Sequence, residues 1–171
     1  MSFTTPVALL CDYTDWQRSC WREWFASEPA ALSAFTGPHT DGRFGSIGAL
    51  IRHIFSAELR YVERLRALPL TDPASIPTDR AAPLFEFGVD SREQLRLLLA
   101  FDPASAWWDT PVEMPLLART VRLAPRKVLL HLVTHEIRHW AQVATTLRWQ
   151  GWKVPQQDLL FSPIGGPAVS I

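Results

Sequence analysis

Residues 134 to 139 read THEIRH, and within them His135, Glu136 and His139 spell H-E-x-x-H. On a helix, side chains four positions apart share a face, with their roots about 6 Å from each other. Two imidazole nitrogens from such a pair can reach one divalent ion at about 2.0–2.1 Å. In a zinc peptidase the intervening glutamate would serve as general base, and a third ligand would come from further along the chain. After His139 this chain has no histidine and no glutamate. Its only acidic residue there is Asp158, in a QQDLLF context without a metal-site pattern. HWAQVATTLRW also lacks the glycine of the metzincin spacing. A zinc hydrolase is therefore the least supported reading of the motif.

The remaining histidines are His39, His53 and His131. His131 continues the row of His135 but sits two turns from His139, roughly 12 Å along the axis, so those three cannot share one ion. His53 is flanked by Leu50 and Ala57 at minus three and plus four, which puts it on an apolar helix face. Imidazoles left without a partner on buried seams would cost several kcal/mol. His53 is thus the best third ligand, and the triad His53, His135 and His139 is expected to converge near one end of a helical assembly.

Four helices have to position these residues. Thr5 and Pro6 form a start signal, a capping hydroxyl followed by proline in the first turn. Leu9, Tyr13, Trp16, Cys20 and Trp24 then recur at helical spacing as the expected inner face, up to about Ser27. Ser46 opens a second helix to about Leu68, with Leu50, Ile54, Ala57, Tyr61 and Leu65 on one stripe. Residues 69 to 88 carry four prolines and read as a long crossover loop. Ser91 with Gln94 reads as a capping box that starts a third helix. DTPVEMP and RTVRLAP suit a small hairpin. Pro125 opens the fourth helix, which ends near Gly151. It carries one seam through Val128, Leu132, His135, His139 and Gln142, and a second through Leu129, Val133, Ile137, Trp140, Ala144 and Leu147. A helix apolar over so much of its girth belongs inside a bundle. The fold class expected is all-α, a four-helix bundle with a long crossover between helices 2 and 3.

The bulk numbers fit one domain over residues 1–171, with 47% hydrophobic and 20% charged residues. Lys+Arg and Asp+Glu are both 17, which supplies no basic field for a nucleic-acid partner. No apolar run nears the ~20 residues of a membrane span. The opening MSFTTPVALLCDYTDW lacks the pattern of a signal peptide, so a cytoplasmic location is expected. Cys11 and Cys20 fall on opposite faces of one helix and are expected as free thiols, suited to a reducing compartment. Trp16, Trp24 and Trp140 read as core.

ALIRHIFSAELRYVERL followed by LLHLVTHEIRHWAQ resembles the DinB/YfiT-like superfamily of metal-binding four-helix bundles. The early DYTDW and the late PQQDLLF resemble its first helix and closing segment. The resemblance implies metal ligation by His53, His135 and His139. Family members often read histidine-arginine-glycine-glutamine after the pair; here the run is His139-Trp140-Ala141-Gln142, with Gln142 kept in place.

Three neutral imidazoles leave a divalent ion its full charge and an open position, the arrangement of a catalytic site. Zinc, nickel and iron all suit the set. The resemblance implies a transferase or isomerase that uses a low-molecular-weight thiol on a small-molecule electrophile, and a possible homodimer. The alternative is a non-enzymatic, stress-associated protein that binds a metal or ligand. Arg52, Arg126, Lys127 and Arg138 are candidates for holding a carboxylate. Outside a zincin, Glu136 reads as a supporting or surface group, not a general base.

Overall fold

The structure, a computed structural model, describes residues 4–37, 42–101, 105–116 and 119–166. His39 lies outside them. Helix α1 spans Thr4–Ser27, α2 Ile47–Leu65, α3 Ala81–Leu99 and α4 Pro125–Trp149. A two-stranded antiparallel hairpin, β1 (Val112–Leu116) and β2 (Arg119–Leu123), precedes α4. Among the described residues the fold is a bundle of four helices with one small sheet, as the sequence predicts.

The start signals hold in part. Ser46 caps α2, its side chain accepting from the Ala49 amide, and Pro125 opens α4 at a position where no intrahelical donor is needed. Among the described residues helix α1 runs from Thr4, so Thr5 falls within it.

Helix α3 departs from expectation. It starts ten residues before Ser91, at Ala81. Pro83 sits in its first turn, where the backbone N–H groups have no helical acceptor, so the proline costs no hydrogen bond. Ser91 is not a cap. It is buried in mid-helix and donates to Glu58 and to the Phe55 carbonyl.

Phe55 meets Gly88, Glu58 meets Ser91 and Arg66 meets Gln94, so α3 runs parallel to α2. Parallel neighbours require the chain to return along the bundle, and residues 66–80 do so. That crossover closes on the start of α2, where Arg52 donates to the Ile76 carbonyl at 3.0 Å. A Cβ on Gly48 would stand 1.7 Å from the Thr78 carbonyl oxygen, so only glycine admits this approach.

Two apolar clusters fill the interior. One gathers Trp21, Phe25, Ile51, Phe55, Phe85 and Trp140; the other gathers Val7, Cys11, Leu95, Trp108, Leu129 and Leu132. Among the residues buried beside them is a charged group: Arg18, Glu58, Arg92 and Glu136. The buried row of α1 runs through Val7, Cys11, Thr14, Arg18, Trp21 and Phe25. This corrects the expected face. Leu9 is exposed, Trp16, Cys20 and Trp24 are only partly buried, and of that stripe Tyr13 alone is buried. Trp140 is core as expected. Both cysteines are free. Burial pushes the Cys11 thiol up to about 11, which leaves it an inert apolar filler.

Residues 152–158 run as irregular chain over the bundle. Tyr13 Oη donates to the Gln157 carbonyl at 2.6 Å and Trp24 Nε1 donates to Lys153 at 2.8 Å. Asp158 caps a short turn of helix by accepting from Leu160, which gives the only acid after His139 a local structural role.

Candidate metal centre

Helix α2 faces α4 across one seam of the bundle, and their histidines meet there. His53 Nε2 lies 3.1 Å from His135 Nε2, and His139 Nε2 lies 3.0 Å from the same atom. All three rings offer a nitrogen within 4.8 Å of the others. Nitrogens about 2.1 Å from a shared ion are separated by roughly 3.0–3.4 Å for bond angles of 90–109°, so the donors fit one divalent ion. Among the described residues no cysteine, carboxylate or fourth histidine joins the group. The meeting point is at mid-length of α4, not near one end of the bundle as expected.

Contacts around His139 and His135 favour neutral donors. His139 Nδ1 stands 2.5 Å from Gln142 Oε1, an acceptor that fixes the proton on Nδ1 and leaves Nε2 unprotonated, with Arg138 Nη2 3.4 Å from it. Burial first, then the facing His139 and His53, lowers the proton affinity of His135 to about 3. Phe44 closes one flank, its ring 4.7 Å from that of His53. His131 is exposed and touches the ring of His135 from the next turn of α4, outside the group.

Glu136 turns away from this site. It accepts from Arg18 Nε at 2.6 Å, Arg18 Nη2 at 2.9 Å, Arg92 Nη2 at 2.6 Å and Trp140 Nε1 at 3.0 Å. Burial would raise its pKa, yet the two guanidinium groups outweigh that and hold the carboxyl below its usual range. Glu58 shares both arginines, from Arg18 Nη2 at 3.1 Å and Arg92 Nη2 at 3.0 Å. Glu136 is neither a surface group nor a base beside the histidines. It anchors α4 to α1 and α3 on one side while His135 and His139 face α2 on the other.

His53 and His135 open onto a cleft of about 620 Å³ whose lining also includes Tyr61, His131 and Arg138, while His139 is buried behind them. Of the four basic residues proposed from sequence, only Arg138 lines it. Arg52 binds the crossover carbonyls and Arg126 pairs with Asp109. Arg60 and Arg64, which do line the cleft, were not singled out from the sequence. They lie seven and eleven positions after His53, within about 20° of its direction on the helix, and that spacing is the signal that finds them.

A model of the DinB family matches residues 1–165. The chain belongs to the DinB family. The match takes in all four helices and each histidine of the triad. No curated protein and no solved structure matches the chain. A DinB bundle with three histidines able to hold a metal ion is therefore what sequence and geometry jointly establish.

Proposed function

We propose that this DinB protein binds one divalent metal ion through His53, His135 and His139 and transfers a low-molecular-weight thiol to a small electrophile. The observation that carries the reading is the convergence of three imidazole nitrogens, two of them from histidines lining an open cleft, without a fourth protein ligand among the described residues. A structural site would be closed by protein on all sides. A metal ion held there would supply Lewis acidity, lowering the proton affinity of a thiol. The rest falls to the chain. Gln142 keeps His139 in the donor tautomer, and Phe44 walls the site from one side. Tyr61 and the arginines of the cleft flank the incoming molecules. In the overall reaction the thiol sulfur bonds to the electrophilic carbon and loses its proton as the leaving group departs.

The free Cys11 and Cys20 agree with a reducing compartment, where such thiols are abundant, and we carry the cytoplasmic location as part of this reading. A homodimer belongs to it too. Light scattering that shows only a 19.4 kDa species at micromolar concentration would refute that element.

The test pairs metal analysis with conjugation assays. Wild-type protein should hold one metal per chain, and His53→Ala should lose most of it, because one of three ligands is gone. Conjugation of a thiol to a chromogenic aryl halide should fall with metal content. Full metal retention by His53→Ala would overturn the ligand set. Metal binding without conjugation on any thiol would favour the non-enzymatic, ligand-binding alternative.

A further inference from the structure

The cleft outside the histidines is charged in one direction only. Arg43, Arg60, Arg64, Arg119 and Arg138 line it, and no aspartate or glutamate does among the described residues. The chain as a whole is neutral, with 17 basic and 17 acidic side chains, so this is a local segregation and not a reflection of composition. Four arginines outside the cleft are ion-paired: Arg18 and Arg92 with Glu58 and Glu136, Arg96 with Asp12 and Asp15, Arg126 with Asp109. Arg60, Arg64, Arg119 and Arg138 form no ion pair among the described residues.

Two of these cations are also under-bonded. The Nε atoms of Arg60 and Arg64 are buried and have no hydrogen-bond acceptor. They sit one turn apart on α2, and Arg64 Nη1 reaches only the Arg60 carbonyl, at 3.2 Å. Burial, followed by the charge of Arg60, lowers the pKa of Arg64. Like charges held together with unmet N–H donors are stabilised most by an anion that accepts from both, since guanidinium groups grip oxyanions in a two-pronged fashion. The arginines come from separate elements, α2, β2 and α4, so they surround a volume instead of forming a stripe on one helix. At about 620 Å³ that volume suits a small molecule and not a macromolecular surface.

We propose that the cleft takes a small molecule bearing at least two oxyanion charges, a dicarboxylate or a phosphate ester, held by Arg60, Arg64, Arg119 and Arg138 with its reactive end toward the histidines. The proposal rests on the histidines being the reacting centre only for that orientation. The grip of the arginines stands apart from metal and thiol.

The test therefore uses metal-free protein. EDTA-treated and dialysed chain is titrated calorimetrically at low salt with succinate, citrate and inorganic phosphate, with succinamide as the neutral control. At least one anion should bind below about 1 mM while succinamide does not, and added salt should weaken binding. Arg60→Gln with Arg64→Gln should weaken it on the order of tenfold or more, the range for losing charge-assisted hydrogen bonds. Circular dichroism checks that the double variant folds, and the exposed Arg119→Gln on β2 gives a second, milder weakening if it does not. Binding of carboxylates without phosphate assigns a dicarboxylate; the reverse assigns a phosphate ester. No anion binding up to about 10 mM, or binding unchanged in the arginine variants, overturns the proposal. Anion binding in a protein that conjugates no thiol would sink the transfer reading and leave this one standing.

Discussion

Replacing Glu136 tests both what the H-E-x-x-H motif does here and how the bundle is held. The carboxylate is 2% exposed and accepts four hydrogen bonds, three of them from guanidinium groups. Arg18 and Arg92 balance Glu58 and Glu136, so Glu136→Ala leaves one positive charge uncompensated in the interior. Breaking a buried pair in this way costs about 3–5 kcal/mol. The lower end applies, because Glu58 still contacts both arginines and Asp15 stands 3.3 Å from Arg92 Nη1. For a chain of this length, about 3 kcal/mol lowers the melting temperature by roughly 10 °C and removes a large part of a typical 5–15 kcal/mol stability. Glu136→Gln keeps the shape and an acceptor for Trp140, and should lose somewhat less. Adding Arg18→Met to Glu136→Gln restores the charge balance and should recover part of the loss. Urea unfolding followed by circular dichroism reads all three variants, and metal analysis at low temperature should find the folded Glu136→Ala protein loaded like wild type. A zincin predicts the opposite pattern: stability unchanged, and a metal-dependent peptidase activity that vanishes with Glu136. An unfolding cost under about 1 kcal/mol for Glu136→Ala would refute the anchoring argument.

Three further outcomes follow from the geometry. Gly48→Ala drives a methyl group into the Thr78 carbonyl and should destabilise the fold by roughly 2 kcal/mol or more, read as a lower urea midpoint; an unchanged midpoint would mean that the crossover does not pack there. Gln142→Ala removes the acceptor at His139 Nδ1 and should weaken metal affinity about 10–100-fold in a chelator competition, with unfolding little changed. His135 in the metal-free protein stays neutral down to about 3, whereas the unfolded residue takes up its proton near 6.5. Its contribution to stability is therefore complete above pH 6.5 and is lost as the pH falls from there toward 3, at up to about 1.4 kcal/mol per pH unit. His135→Asn should flatten the stability profile of chelator-treated protein between pH 7 and 5, and an identical slope in both proteins would contradict this.

Where the interior is apolar and periodic, the helices were legible from the sequence. Helix α4 was read to within a few residues because its seams are apolar except for the paired histidines and Gln142, and α2 because Ser46 and its stripe agree. Both partners of the His53 contact lie on such stripes, so the triad followed. Helix α1 misled for a physical reason. Its true inner row has Thr14 and Arg18 at the centre, and a search for apolar spacing slides past a buried arginine to the neighbouring row of Trp16, Cys20 and Trp24. Ser91 misled likewise. A serine three residues before a glutamine looks like a cap, but this hydroxyl is held in mid-helix by Glu58, which only tertiary contact reveals. The buried charges were illegible because their charged partners are distant in the chain, up to 118 residues away for Arg18 and Glu136.

The same distinction explains why the letters of a motif do not settle its chemistry. In H-E-x-x-H the glutamate stands one step, about 100°, from the first histidine and three steps back from the second, so it projects to the side of the metal face. What lies on that side decides its role. An exposed helix beside an open cleft can leave such a carboxylate near a metal-bound water. In this bundle α1 and α3 bring Arg18 and Arg92 to that side, and the carboxylate is consumed as their counter-ion. The two arginines that fix Glu136 thereby fix the rotation of α4, and with it the direction in which His135 and His139 present their nitrogens to His53. Glu136 thus steadies the packing of α4 without any part in proton transfer, and its replacement should cost stability while the folded protein keeps its metal load.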